Sequence, residues 1–473
     1  MPARSASRQS ACRGHRRQIF SPSLSGLIGT NSVSRTTVPD TTSPPPRPAR
    51  VERALAPGVG QGGVAGMGRR GGLPASEAPM LNVPSAFQPG YEAIRPSNPG
   101  LADSYIAHMT VGDPPADKVV EELADLDQRQ FHLFVRTMMD VEPARIDTVP
   151  RVLREFFGEV GTFPDWYDSL PVQPGCRAFH RNSDLFVLAF VASTIVRGFG
   201  TTISLSFLET GKVIDFGRRR LRQNLRHLVE IMIPGGLERH GDGWKLCLRI
   251  RLVHAQVRKL IADSGDWDSA AYGRPISAGH VALSSAAFSA MLLQDAVRLG
   301  ARIDDAERAS FIHLWRCGSW LMGVPEPLLF RDEANAHELL RVGLRCEPPA
   351  GLESIVMAHS LINSIPHIIG IEGKRRRRRM ISLLQRLSRR MIGARLADEL
   401  KLPRKISTGA IALVGLQRRL RNLRGILPSF VGGENADVAR FSDLLEWSSL
   451  DGDAEGFSYR LPEHVGVSLA GKS

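Results

Sequence analysis

Aromatic residues make up only 6% of the 473 residues, and sustained alternation of apolar and polar residues is missing. Sandwiches and barrels draw on aromatic and β-branched residues in period-two runs, so both are disfavoured. Cysteine is scarce as well: Cys12, Cys176, Cys247, Cys317 and Cys346 lie far apart and form no CxxC pair. Such spacing argues against a disulfide framework or a zinc site. Cys247 and Cys317 fall in helical apolar patterns, where a buried free thiol is expected. Long apolar runs are absent too. The longest, Leu185–Val196, is about twelve residues. That is too short to cross a bilayer and suits a buried core helix, so no transmembrane helix is expected. Gly198-Phe199-Gly200 and Gly58-Val59-Gly60 follow no strand and are not dinucleotide loops. Ser319 lacks a nucleophile elbow, which leaves hydrolase chemistry without support.

Acidic residues are the deficit behind a formal charge of +13, but the excess is local. Residues 1–80 hold eleven arginines against Asp40, Glu52 and Glu77, a net +8 that leaves +5 for the rest. The run Lys374–Arg379 alone carries six cations. The remaining body is near neutral and lacks the broad basic footprint of a nucleic-acid-binding domain. No nucleic-acid partner is expected.

What is present is helical periodicity. Residues 1–100 are rich in Arg, Pro and Gly and read as a disordered extension, since they cannot offset their ordering entropy by burial. Its first part has the composition of a transit peptide, and His15–Phe20 holds a twin arginine without the apolar stretch that should follow. Translation starting at Met67 or Met80 is the third reading, and a cytoplasmic location is the default. Residues 101–430 read as one all-α domain and 431–473 as a polar tail. Apolar spacing of three and four predicts helices over 116–126 and 128–139, with Asp113 and Asp127 as N-caps. Further helices are expected over 149–160, 184–197, about 203–232 with a break near Gly211 or Gly217, 244–262, 277–299, 304–322, 333–344, 351–365 and 379–400.

Within residues 244–262, Cys247, Ile250, His254, Val257 and Ile261 form one helix face. An imidazole on such a face costs free energy unless its nitrogens are used. Ordinary hydrogen bonds in the core would serve, and so would a metal; periodicity alone does not choose. Lys245, Arg249, Arg258 and Lys259 fall elsewhere around this helix, and Arg251 sits one turn before the histidine.

Several ordered segments carry a resemblance. Thr194–Phe199, Ser206–Val213, Pro234–Leu237, Gly243–Lys245, Leu248–Arg258, Gly273–Ser277, His313–Arg316, Gly323-Val324 and Leu396–Pro403 together resemble the MpaB and latex-clearing (rubber oxygenase) family over roughly residues 110–410. The resemblance implies a globin-like helical fold holding haem b. It also implies His254 as the axial iron ligand, with Arg251 beside the cofactor. Relatives cleave C=C bonds of isoprenoid chains with O2, so an oxygenase acting on an isoprenoid or other apolar alkene is expected. Rubber oxygenases carry an Arg and a Lys-Thr pair on the preceding helix. Arg220, Gln223 and Asn224 occupy those places here, so the ammonium and hydroxyl are replaced by amides. The family's upstream glutamate base has no clear counterpart.

Other readings stand beside this one. Arg218, Arg219, Arg220 and Arg222 also suit a solvated helix face. His280 is the second candidate for an iron ligand. His227 faces either the distal pocket or, as expected here, solvent. The same fold would serve a non-catalytic haem-binding or sensing protein. Lys374–Arg379, either a solvated face or a peripheral membrane contact, would serve a haem-free membrane or partner-binding protein.

Overall fold

Apolar residues at helical spacing, fixed by side-chain caps, build this chain helix by helix. The computed structural model describes residues 81–404 except 141–142, 210–212 and 369, and leaves out the side chains of 143–145, 207–209, 213–220 and 222. Among the described residues the fold is all-α, with no strand. Gln128–Met139 buries Phe131, Val135 and Met139 along one face, and Asp127 accepts from the Gln130 N–H at 2.8 Å. Asp113 caps Pro114–Glu122 in the same way. Asp304 and Glu307 form a reciprocal capping box at the start of Asp305–Leu321.

The extension expected through residue 100 does not run that far. Gln88–Ile94 and Pro99–Ala107 are helices, and Phe87, Tyr91, Ile94, Ala102, Tyr105, Ile106 and Met109 are buried. The prolines there start helices instead of preventing them: Pro99 opens a helix whose cap, Asn98, accepts from the Leu101 N–H. The expected tail 431–473 and the end of the expected domain, 405–430, lie outside the described residues.

Two long apolar helices are each interrupted by a π-turn. The first runs as Ser183–Ala189, the π-turn Phe190–Thr194, then Ile195–Phe199. The second runs as Ala278–Ala286, the π-turn Ala287–Met291, then Leu292–Arg298. The Phe190 and Phe288 rings lie 5.2 Å apart between them. Ser193 donates to the fully buried Asp295 at 2.5 Å, and Arg197 and Arg298 flank the same carboxylate. Arg197 also donates to the carbonyls of Met391 and Ile392, tying the C-terminus of the helix Lys374–Ile392 to this pair.

The sequence reading missed Gln173–Arg181, whose Pro174-Gly175 opening reads as a turn. That glycine is the crossing point with Asp305–Leu321: a Cβ at Gly175 would meet the Phe311 backbone nitrogen at 2.7 Å. Its N–H donates to Ser310 Oγ at 2.9 Å. The expected helix 379–400 starts five residues earlier and breaks at Gly393 into Lys374–Ile392 and Ala394–Glu399. Among the described residues, no single helix is long and apolar enough to cross a membrane.

Candidate functional site

Two consecutive helices, Val213–Ile231 and Asp242–Ser264, form a hairpin closed by the turn through Pro234, Gly235 and Gly236. Near the turn they approach so closely that a Cβ at Gly243 would meet the Glu230 carbonyl at 2.8 Å. One turn further, His227 Nε2 lies 3.4 Å from Cys247 Sγ. These contacts fix an antiparallel register. Arg220 and His254 each lie seven residues, about 10 Å of helix, beyond this contact on their own helices. Gln223 and Asn224 stand about one turn nearer the turn, on the same helix.

His254 is half-buried, and its Nδ1 is shielded from solvent. Cys247, Ile250, Val257 and Ile261, which share its stripe, are buried. The ring therefore sits where an apolar helix face meets a more open side. Two ion pairs bracket it along the helix. Arg251, one turn before, donates Nε to Asp113 Oδ2 at 2.6 Å and a second N–H to Oδ1 at 2.9 Å. Arg258, one turn after, pairs with Asp117 at 2.8 Å.

Arg258, which falls off the His254 stripe, is nonetheless only 2% exposed. Burying a guanidinium this deeply is tolerable because Asp117 and the Ile276 carbonyl receive its donors. Arg251 is likewise buried, and it lies 5.1 Å from the Phe156 ring centroid. Gly323, with φ +82, lets the chain pass against the Arg251–Asp113 pair, where a Cβ would meet Asp113 Oδ2 at 2.4 Å. Arg251 thus holds the His254 helix to the cap of Pro114–Glu122.

His227 does not face solvent as expected. It is 6% exposed, with its ring edge-on to Trp315 at 5.7 Å between centroids. Burial pushes its pKa down to about 4, so the imidazole is neutral. Burial also pushes the Cys247 thiol far up, so it stays protonated. Arg226 beside it in sequence hides the burial: that arginine reaches Glu230 along the helix and masks an otherwise apolar stripe.

His280 is not available to iron. Its Nδ1 lies 3.0 Å from Ser277 Oγ and its Nε2 2.6 Å from Thr202 Oγ1, with Glu347 Oε1 at 3.4 Å. Glu347 is a residue that sequence reasoning missed. It accepts from Tyr105 Oη at 2.9 Å and from the Thr202 N–H at 2.8 Å. Burial alone would raise its pKa, but His280 and Thr202 together hold it below the usual carboxylate value. A cavity of about 20 Å³ lies beside this network against Leu283, Ala287, Met291 and Leu340. It has room for one water, not for a porphyrin. Cys176, Cys247, Cys317 and Cys346 are buried free thiols, as expected for the two in helical patterns.

Residues 187–424 match the family described as "ER-bound oxygenase mpaB/B'/Rubber oxygenase, catalytic domain". The chain belongs to that family. A curated relative, the rubber oxygenase of Streptomyces sp. (strain K30), is 22% identical over 200 residues, which are 40% of this chain and 47% of the relative. The chain thus matches about half the length of that protein. The solved latex clearing protein LCP, in its closed state, aligns with 72% of this chain and 91% of its own at TM-score 0.56 and 17% identity. That likeness is one of fold.

The matched region contains the whole hairpin. Within it, Gln223 and Asn224 are half-buried. The side chain of Arg220 lies outside the described residues. Among the described residues no three His, Cys, Asp or Glu side chains are grouped to hold a bare metal ion. A porphyrin iron asks the protein for only one or two axial donors. The His254 imidazole, its Nδ1 shielded from solvent on an apolar helix face, is a donor of that kind.

Proposed function

We propose that this protein is a haem b-dependent oxygenase that cleaves a C=C bond of an isoprenoid or other apolar alkene with O2. The observation that supports the reading most is the family match over residues 187–424, which takes in His254, its Nδ1 shielded from solvent on an apolar helix face. His254 would be the axial ligand. When bound, haem iron would supply the binding and activation of dioxygen. One alkene and one O2 balance as two carbonyls, so no external reductant is consumed in the cleavage itself.

The chain's own residues would orient and shield. The Arg251–Asp113 and Arg258–Asp117 pairs hold the His254 helix from both sides along its axis, which limits how far the imidazole can shift. Gln223 and Asn224 offer both N–H donors and carbonyl acceptors toward a polar oxygen species, without the fixed cation of a lysine. The apolar stripe around His254 favours an alkene over a polar substrate and excludes water.

The test is turnover by ferrous, haem-loaded protein given O2 and a polyisoprenoid. Products bearing new aldehyde or ketone ends are expected by mass spectrometry after carbonyl trapping. Haem-loaded protein that yields none would instead favour a haem-binding or sensing role, a reading to which the amides at Gln223 and Asn224 lend weight.

A further inference from the structure

The helix Lys374–Ile392 breaks several local rules at its first turns. Six consecutive cations, Lys374 to Arg379, occupy the end where the helix dipole is already positive, with no acid in the first turn and no side-chain cap from Gly373. Cations three and four positions apart repel one another there. Burial starts only after the run: Met380, Leu384, Leu387 and Met391 pack inward, while Lys374, Arg375, Arg376, Arg378 and Arg379 are exposed. None of the six makes an ion pair among the described residues. Only Arg377 is anchored, donating Nε to the Ile371 carbonyl at 2.7 Å. The contrast lies further along the same helix. Arg389 pairs with Asp398 at 2.7 Å and donates to the Leu402 carbonyl, so it serves the fold.

At 100° per residue, the six side chains fan around the whole helix axis. Such an arrangement cannot lie along a groove of the protein's own surface; it presents a charged tip about 9 Å long. Positive charge retained against helix stability points to a use outside the fold. Charge complementarity names the occupant. We propose that this tip docks the protein end-on to an anionic phospholipid surface. Polyanionic headgroups in a plane match cations that point in every direction about one axis. A planar array also engages several of them together, with each basic residue adding to the attraction. Such docking requires neither haem nor turnover.

The experiment is co-flotation of the full-length protein with phosphatidylcholine vesicles, with and without phosphatidylserine. Binding is expected only with phosphatidylserine, weakening as salt rises. Arg375→Gln/Arg376→Gln/Arg378→Gln should bind roughly a hundredfold more weakly. Its melting temperature should be unchanged or higher, because the removed charges oppose the helix dipole. Arg47→Gln/Arg50→Gln/Arg53→Gln removes the same charge from the N-terminal stretch and should bind nearly as the parent does. Equal loss in both variants would overturn the proposal, since net charge alone would then explain binding. So would release of the parent from vesicles by inorganic phosphate at constant ionic strength, or tight binding to single-stranded RNA with none to vesicles. Replacing the same three arginines by lysine keeps the charge and should keep the binding; loss of binding there would also count against it.

Discussion

His227 Nε2 lies 3.4 Å from Cys247 Sγ, and both groups are buried and uncharged. This contact locks the register of the hairpin that carries the candidate site. A slip of one residue would turn either helix by 100° and carry His254 off the stripe that faces its neighbour.

The contact has a pH signature. The His227 pKa falls from 6.5 to about 4 on folding, so the unfolded chain binds the extra proton first. Stability is therefore full above about pH 6.5, declines as pH drops through the window, and levels off below about 4. The contribution is of order 3 kcal/mol. Urea unfolding across this window should show a steeper acid decline in the parent than in His227→Leu. Identical pH dependence in both proteins would rule out His227 as the source.

Asp113 and Arg251 form a buried, doubly hydrogen-bonded pair, and Asp113 also caps Pro114–Glu122. Asp113→Ala should cost about 3–5 kcal/mol, because it leaves a buried guanidinium uncompensated. Asp113→Ala combined with Arg251→Met should cost clearly less than the two single losses added. Simple additivity in chemical denaturation would mean the pair is not coupled.

Gly175 marks a close helix crossing. Gly175→Ala would put a methyl group 2.7 Å from the Phe311 backbone nitrogen. The two helices must then separate, at roughly 1–3 kcal/mol. A melting temperature equal to or above the parent's would show that the crossing has slack.

Much of the fold is legible in the sequence where apolar spacing and a cap agree. Gln128–Met139 and its Asp127 cap emerge as expected, and the His254 helix extends the expected 244–262 by two residues at each end. Proline hides the rest. Pro99 and Pro174 look like breaks but sit in first turns, where no N–H is needed. The site is legible only in part. His254 stands out because a polar ring interrupts an apolar stripe. The partners that brace its helix do not: Asp113 is 138 residues from Arg251 in sequence, and Asp117 is 141 from Arg258. No local pattern announces such pairs. The Glu347–His280–Thr202 network is invisible for the same reason, since its members come from three distant segments.

Absorption spectroscopy decides whether His254 holds haem iron. Haem-reconstituted parent protein should show a Soret band and one haem b per chain by pyridine haemochrome. His254→Ala, folded by circular dichroism, should lose the band or keep only a weak, shifted one, while His280→Ala, if folded, should keep it. A full, unshifted Soret band and full haem loading in His254→Ala would mean that His254 is not the iron ligand.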